Sequence, residues 1–421
     1  MFFARRFVAH LILFSFLLAC SASSQSQNAQ QNPIPERVAI RAARMLDAAE
    51  GKLINNAVVV VENDKIVSAG SDTAIPPDAK IIDLGDATIL PGLIDAHTHI
   101  TYHFDENGRF GETGDASAQV TLKYAEENAR LTLEAGFTTI RNLGDSTGVD
   151  VYLRDEIKRG ETTGPRMIVS GYPMLSSILS GAKKQEERVE RIRQFVKDRI
   201  AEKVDVIKIF EGVDAFGNPL FSAKEIRAAV EEARKANLKV AVHAHEAAAV
   251  IAAVTGGCDS IEHGSFLTDE AIRLLAKKRV ALVPTLYLPT HYLEHKKQFA
   301  FDASTWDFFE KLKANNLENA RKAKVRGVWI VNGSDAVAGY HGNNAREIEW
   351  LTKAGLKPAE AIRAATIDAA ELLGLKGQIG EIRPGFFADV IAVSGNPLDD
   401  TSSLERVAFV MKSGKVIKSK L

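Results

Sequence analysis

The chain has 421 residues, 46% of them hydrophobic and 25% charged, with 13 prolines. That composition supports sizeable buried cores and excludes disordered, collagenous and minimal disulfide-rich classes. Its 53 basic residues against 54 acidic ones leave a formal charge of -1, so no net field draws it to nucleic acid or anionic lipid, and no nucleic-acid partner is expected.

Arg5 and Arg6 precede the mostly apolar run Leu11 to Ala19 and a small-residue stretch, Cys20 to Ser24. This is the pattern of a secretory signal over residues 1–24. The run is too short for a span of about 20 residues. Leu17-Leu18-Ala19-Cys20 also resembles the cleavage and lipidation box of bacterial lipoproteins, which would make Cys20 an acylated membrane tether. Plain cleavage a few residues later is the other route. Either way the chain is expected to be exported, to a bacterial periplasm or a membrane-tethered state. Cys258 is then alone, no intrachain disulfide forms, and stability rests on the core. Residues 25–35, rich in Gln, Asn and Ser, are expected to be a flexible leader.

Ala57 to Val61 and Lys65 to Ala69 are short β-rich runs separated by Glu62, Asn63 and Asp64, which predicts a hairpin turning at Asn-Asp. From Leu93 the pattern changes. Strands are expected at 93–97, 137–141, 166–170, 204–209, 239–243, 259–262, 280–285 and 328–332, mostly separated by helix-length segments. Helices are expected over Lys123 to Ala135, stopped by Gly136, over Ser222 to Asn237, where Ser222 and Glu225 have capping-box spacing, and over Asp269 to Lys278. Eight β/α units with apolar strands predict an α/β fold, a (β/α)8 TIM barrel over residues 91–378. Ala388 to Val393, Val407 to Met411 and Gly414 to Ile417 return to strand texture. Residues 36–90 and 379–421 are therefore expected to form a small β-sandwich domain from both chain ends.

Active sites of such barrels lie at the carboxyl ends of strands. His97 and His99 stand two apart, so the strand period points both to one face, where two imidazoles can share a metal. An isolated pair of this kind is also found as surface or core-lining histidines. His243, His263 and Asp335 end or follow three other predicted strands, and imidazole with carboxylate suits zinc and similar divalent ions. Lys208 sits alone in the apolar run Val204 to Phe210. A buried ammonium is costly unless neutralised or paired, for instance with a core carboxylate.

With these residues in place the sequence closely resembles the amidohydrolase superfamily of metal-dependent barrels. Pro91 to His99 and Gly380 to Asp389 resemble the family's barrel entry and its return to the small domain. The resemblance implies a binuclear centre. His97, His99 and Asp335 would hold one divalent ion and His243 and His263 the other, with zinc the first candidate. Lys208, carboxylated by carbon dioxide or bicarbonate, would join them together with a bridging hydroxide. It also implies that Asp335 takes the hydroxide's proton and passes it to a leaving amine.

Within the superfamily the sequence is most similar to the prolidase and Xaa-Lys/Arg dipeptidase group, whose relatives include ochratoxin-type amidases. That implies hydrolysis of a peptide or amide C–N bond in a small-molecule or short-peptide substrate; a homo-oligomer is compatible with it. Candidate substrate contacts are His103, Tyr172, His245, Tyr287 and His341; the tyrosines could equally pack, and the histidines could be structural or exposed. Dipeptidases of this type are expected to carry tyrosine where His245 stands. Asp205, Asp259 and Glu262 are candidates for orienting the ligands. A competing class is a mononuclear deaminase or cyclic-amidine hydrolase, because His243 and Glu246 have the HxxE spacing of a proton shuttle. A non-catalytic tethered binding protein would lack ligands that are present here.

Overall fold

Strand-forming runs at both ends of the chain hydrogen-bond into one sheet. In the computed structural model, which describes residues 36–109 and 117–420, the first five strands are β1 (Arg37–Asp47), β2 (Lys52–Glu62), β3 (Lys65–Ser71), β4 (Lys80–Asp83) and β5 (Ala87–Pro91). The last three are β13 (Val390–Ser394), β14 (Phe409–Lys412) and β15 (Lys415–Ser419). They follow the order β15-β14-β13-β5-β1-β2-β3, with β4 beside β1. The expected hairpin is β2 and β3, longer than the sequence suggested. Glu62 pairs with Lys65 around Asn63-Asp64, and Asn63 takes the positive φ of 54° that this tight turn favours. Val59, Ile89, Val390 and Phe409 lie in the core of this sheet.

Between these ends run β6 (Leu93–Thr98), β7 (Phe137–Asn142), β8 (Arg166–Val169), β9 (Val206–Phe210), β10 (Lys239–Glu246), β11 (Ser260–Phe266) and β12 (Ala281–Val283). All the pairings are parallel, β6-β7-β8 in one ladder and β9-β10-β11-β12 in another. An isolated Met174–Ile209 bridge connects the segment after β8 to β9. The eighth expected strand, 328–332, is not a regular strand. Its backbone instead bonds on both sides: Val331 N–H to Leu282 C=O at 3.0 Å, and Ala96 N–H to Asn332 C=O at 3.0 Å. The hydrogen bonds therefore lead from β12 through this segment back to β6.

Helices alternate with the parallel strands: α1 (Ala118–Glu134), α2 (Val149–Arg159), α3 (Gln185–Ala201), α4 (Ala223–Lys235), α5 (Ala247–Gly256), α6 (Asp269–Lys278), α7 (Leu288–Glu294) and α8 (Ala303–Val325), then α9 (Arg346–Lys353), α10 (Pro358–Ala364) and α11 (Ile367–Leu372). The Ser222–Glu225 capping box on α4 is formed in both directions, satisfying donors that a helix start leaves open. α4 buries Ile226, Ala229 and Ala233 against the strand layer.

The described residues cluster as one compact unit. No described helix is long and apolar enough to cross a membrane. The expected signal over 1–24, the leader over 25–35 and Cys20 lie outside the described residues. Cys258 is buried with a free thiol.

Candidate metal centre

His97 on β6 and His99, just past its end, turn to one face, with their Nε2 atoms 3.3 Å apart. Asp335 Oδ1 lies 3.1 Å from His99 Nε2 and 3.4 Å from His97 Nε2. Atoms held about 2.0–2.1 Å from one tetrahedral zinc are about 3.3–3.4 Å from each other. The three donors therefore have the mutual spacing that a single ion requires.

A second group lies beside the first, at the ends of β10 and β11. His243, His245 and His263 offer nitrogens within 4.8 Å of one another, and the His97 and His263 rings are 5.1 Å apart. His263 Nδ1 is 2.8 Å from Thr285 Oγ1, and His245 Nδ1 is 2.7 Å from Ser265 Oγ. With Nδ1 engaged in each case, Nε2 is the nitrogen left for a ligand. Lys208 is fully buried on β9, and its Nζ has no hydrogen-bond partner among the described residues. Burial lowers this amine to about 8, against the opposing pull of Glu262 and Asp335.

Burial also keeps the imidazoles of His97, His243 and His263 neutral. It brings His97 down to about 4, and it lowers His243 and His263 well below their ordinary value. Neutral imidazole is the form that binds metal. Asp335 goes the other way: burial favours its protonated form, but His97 and His99 beside it outweigh that and lower it. The donor set of neutral imidazoles, one carboxylate and a neutralisable lysine fits divalent ions.

Behind these donors stand residues that aim them. Glu262 Oε2 lies 2.9 Å from His97 Nδ1, while its other oxygen accepts from Arg141 at 2.9 Å and from Ser260 at 2.5 Å. A carboxylate behind a ligating histidine fixes the ring and raises its basicity. Glu262 is ionised here despite burial because Arg141 and His97 hold it at about 2. Asp95 clamps the segment that carries Asp335: it accepts from Ser334 Oγ at 2.5 Å, Ser334 N at 2.9 Å and Asn344 Nδ2 at 2.8 Å. Next to it, Gly333 leaves no room for a side chain, since a Cβ there would lie 2.3 Å from Val283 Cγ1 and 2.9 Å from His97 Cβ. His263, Thr285 and Asp335 all have φ near +50° to +70°, a left-handed conformation that non-glycine residues adopt at a cost and that clusters at functional sites.

His99 and Asp335 of the first group and all three histidines of the second line a cavity of about 270 Å³. Its walls are largely aromatic, including Phe104, Tyr292, Phe301 and Phe308. Of the candidate substrate contacts, His245 lines this cavity, within the second histidine group. The others lie outside the lining. His341 is buried between Thr132 Oγ1, at 2.9 Å, and the His99 carbonyl, at 3.3 Å. His103 stacks on Tyr124 at 4.4 Å, Tyr287 donates to Glu294 at 3.0 Å, and Tyr172 is exposed near Arg199. Of the candidate orienting acids, Asp205 pairs with Arg154 and Asp259 with Arg234, away from the donors. Glu246 does not line the cavity. Sequence reading did not single out Arg141, Ser334, Asn344 or Thr285; their roles depend on partners distant in the chain.

The model of the amidohydrolase family matches residues 88–417. The chain belongs to the amidohydrolase family. It is a hydrolase acting on carbon–nitrogen bonds. It is similar to ochratoxinase of Aspergillus niger, at 28% identity over 94% of this chain and 91% of that one. Imidazolonepropionase of Fusobacterium nucleatum is 25% identical over 80% of this chain and 84% of its own. Among solved structures, a Xaa-Pro dipeptidase with methionine bound in its active site superposes with a TM-score of 0.81, at 28% identity over 90% of this chain and 99% of that chain.

Proposed function

We propose that this chain is a binuclear metal-dependent amidase, cleaving a peptide or amide C–N bond between an acyl group and an amine. The observation that carries the reading is the pairing of two donor groups, His97–His99–Asp335 and His243–His245–His263, together with a buried lysine, Lys208, whose Nζ has no hydrogen-bond partner among the described residues. Kinship to an ochratoxinase and a Xaa-Pro dipeptidase supports the amide bond as the target. Divalent ions held by these residues, zinc first among them, would supply Lewis acidity at the scissile carbonyl and a hydroxide from water whose pKa falls toward about 7.

The chain's own residues do the rest. Lys208, reacting as the free amine with carbon dioxide, becomes a carbamate and loses one proton. This replaces a buried cation with an anionic oxygen donor. Asp335 accepts the proton of the attacking water and returns it to the departing amine, so the amide and one water leave as a carboxylic acid and an amine. Glu262 keeps the His97 ring fixed, and the aromatic walls keep bulk water from the reacting carbonyl. The cyclic-amidine or deaminase alternative is disfavoured because Glu246 is outside the cavity lining.

We further read the linked parallel ladders as one closed (β/α)8 barrel over residues 91–378, with residues 36–90 and 379–421 as its small β-sandwich domain. Residues 1–24 we read as an export signal, with Cys20 as a candidate lipid anchor.

The reading is tested by metal analysis of protein expressed with and without bicarbonate, and by assay on dipeptides, N-acyl amino acids and nucleobases. Two metal equivalents and release of amine from amides are expected. Lys208→Ala should lose at least one equivalent and most activity, with partial recovery by short carboxylic acids. Two metals and near-normal turnover in that variant would remove Lys208 from the centre; deamination of a nucleobase without amide cleavage would replace the reaction class.

A further inference from the structure

α8 forms part of the cavity wall and is held to the end of β11 by Asn319, whose Nδ2 donates to the Ser265 carbonyl at 2.5 Å. On the cavity side it presents Phe308, Phe309, Leu312 and Asn316. Tyr292 stacks on Phe309 with ring centroids 4.7 Å apart, and Phe308 meets His245 edge-on at 5.4 Å. The apolar wall therefore runs directly onto the histidines.

Two features of this wall point to what it holds. Among the described residues lining the cavity none is lysine or arginine, and Asp335 is the one carboxylate. A substrate carboxylate placed along the wall would lose its water without gaining a cation in return, which is strongly unfavourable. The second feature is Asn316. It is only 4% exposed, and its Oδ1 has no hydrogen-bond partner among the described residues. A buried acceptor left unmatched by the protein costs free energy, so a ligand that brings a donor recovers it. A site of that kind rejects analogues lacking the donor far more strongly than an apolar wall rejects a missing methylene.

We infer that the part of the substrate beyond the scissile bond is an uncharged aromatic or aliphatic group bearing one neutral N–H, which Asn316 reads. This rests on the amidase reading for what is cleaved, but not for what is bound. Asn316 acts as a specificity determinant, on an apolar helix face otherwise indifferent to polarity.

The test is an equilibrium titration of the purified full chain with three small ligands. Indole carries an aromatic ring with one neutral N–H and no cleavable amide, 1-methylindole lacks the N–H, and indole-5-carboxylate adds a carboxylate at the far end of the ring. The first should bind at least tenfold more tightly than either of the others. Asn316→Leu should bring the first two within about threefold of each other, mainly by weakening the first. Asn316→Asp, which keeps an acceptor, should restore the preference for N–H and weaken the carboxylated ligand further. Equal or tighter binding of the carboxylated ligand would overturn the inference, as would an N–H preference that survives Asn316→Leu. Absence of turnover on every amide, with these affinities intact, would instead defeat the amidase reading and leave this one standing.

Discussion

At Asp335 two roles meet: one carboxylate both completes a donor triangle and carries the proton. Its oxygen lies 3.1 Å from His99 Nε2, and its lowered pKa keeps it ionised, the form that can accept a proton. Asp335→Asn preserves shape and one oxygen donor but cannot carry the proton. Metal should be largely retained while kcat falls by about 10² to 10⁴. Glu246→Gln is the matched control, because a shuttle role for Glu246 belongs to the deaminase alternative. It should cost less than about tenfold, and steady-state kinetics on metal-loaded variants reads both. Equal, severe losses would favour the alternative. The residues of this site differ in how legible they are. His97 and His99 declare themselves through a period of two at the end of one strand, and His243 and His263 by ending apolar runs. His245 obeys the same period relative to His243, yet the family expectation of tyrosine drew it toward substrate binding. Glu262 is one of three candidate orienting acids with nothing local to choose it over Asp205 and Asp259, and Asn316 carries no signal at all, since a carboxylate behind a ring and an unmatched amide exist only after distant elements pack.

Elements whose pattern is local were legible nearly to the residue. α6 spans the expected Asp269–Lys278, and α4 begins at the expected Ser222 cap, because periodicity and capping are properties of a few consecutive residues. The segment at 328–332 was not legible in the same way. Its apolar run predicts a strand, but it bonds to Leu282 on one side and Ala96 on the other with few regular pairs, and only tertiary context decides that. What holds it in place of a regular ladder is the Asp95 clamp on Ser334. Ser334→Ala removes the 2.5 Å hydrogen bond to Asp95 Oδ2, a buried bond to an acid that burial raises to about 6. The expected cost is about 1.5–3 kcal/mol of stability, measured by urea unfolding. Activity should fall with it, since Asp335 is the next residue. Loss of stability without any loss of metal affinity or turnover would mean that the clamp serves the fold alone.

Across the whole molecule, buried acids and buried histidines give stability opposite slopes with pH. Glu347 is buried beneath the backbone amides of Leu286 and Tyr287, which it accepts at 2.8 and 2.9 Å. Burial first, and then Asp95 and Asp335, raise it to about 8. Burial and the neighbouring Asp145 raise Asp150 as well. An acid raised in the folded state holds its proton while the unfolded chain has already released it. Its contribution is therefore complete below the unfolded value of about 4.3 and is lost as pH climbs through about 8. The histidines act in the other direction: burial lowers His341 to about 3 and His291 to about 4. Their contribution is present above the unfolded value of about 6.5 and is lost as pH falls toward 3 to 4. Stability of the metal-free chain, measured by urea unfolding in chelator, should thus decline on both sides of a maximum near pH 6. On the alkaline side one proton accounts for up to about 1.4 kcal/mol per pH unit. Glu347→Gln should be less stable at pH 6, because it replaces an acceptor of a buried N–H with an amide nitrogen. It should also lose about 1 kcal/mol per pH unit of the slope between pH 6 and 8. A variant whose alkaline slope matches the wild type would show that Glu347 is already ionised at pH 6 in the folded chain, and would shift the alkaline loss onto Asp150.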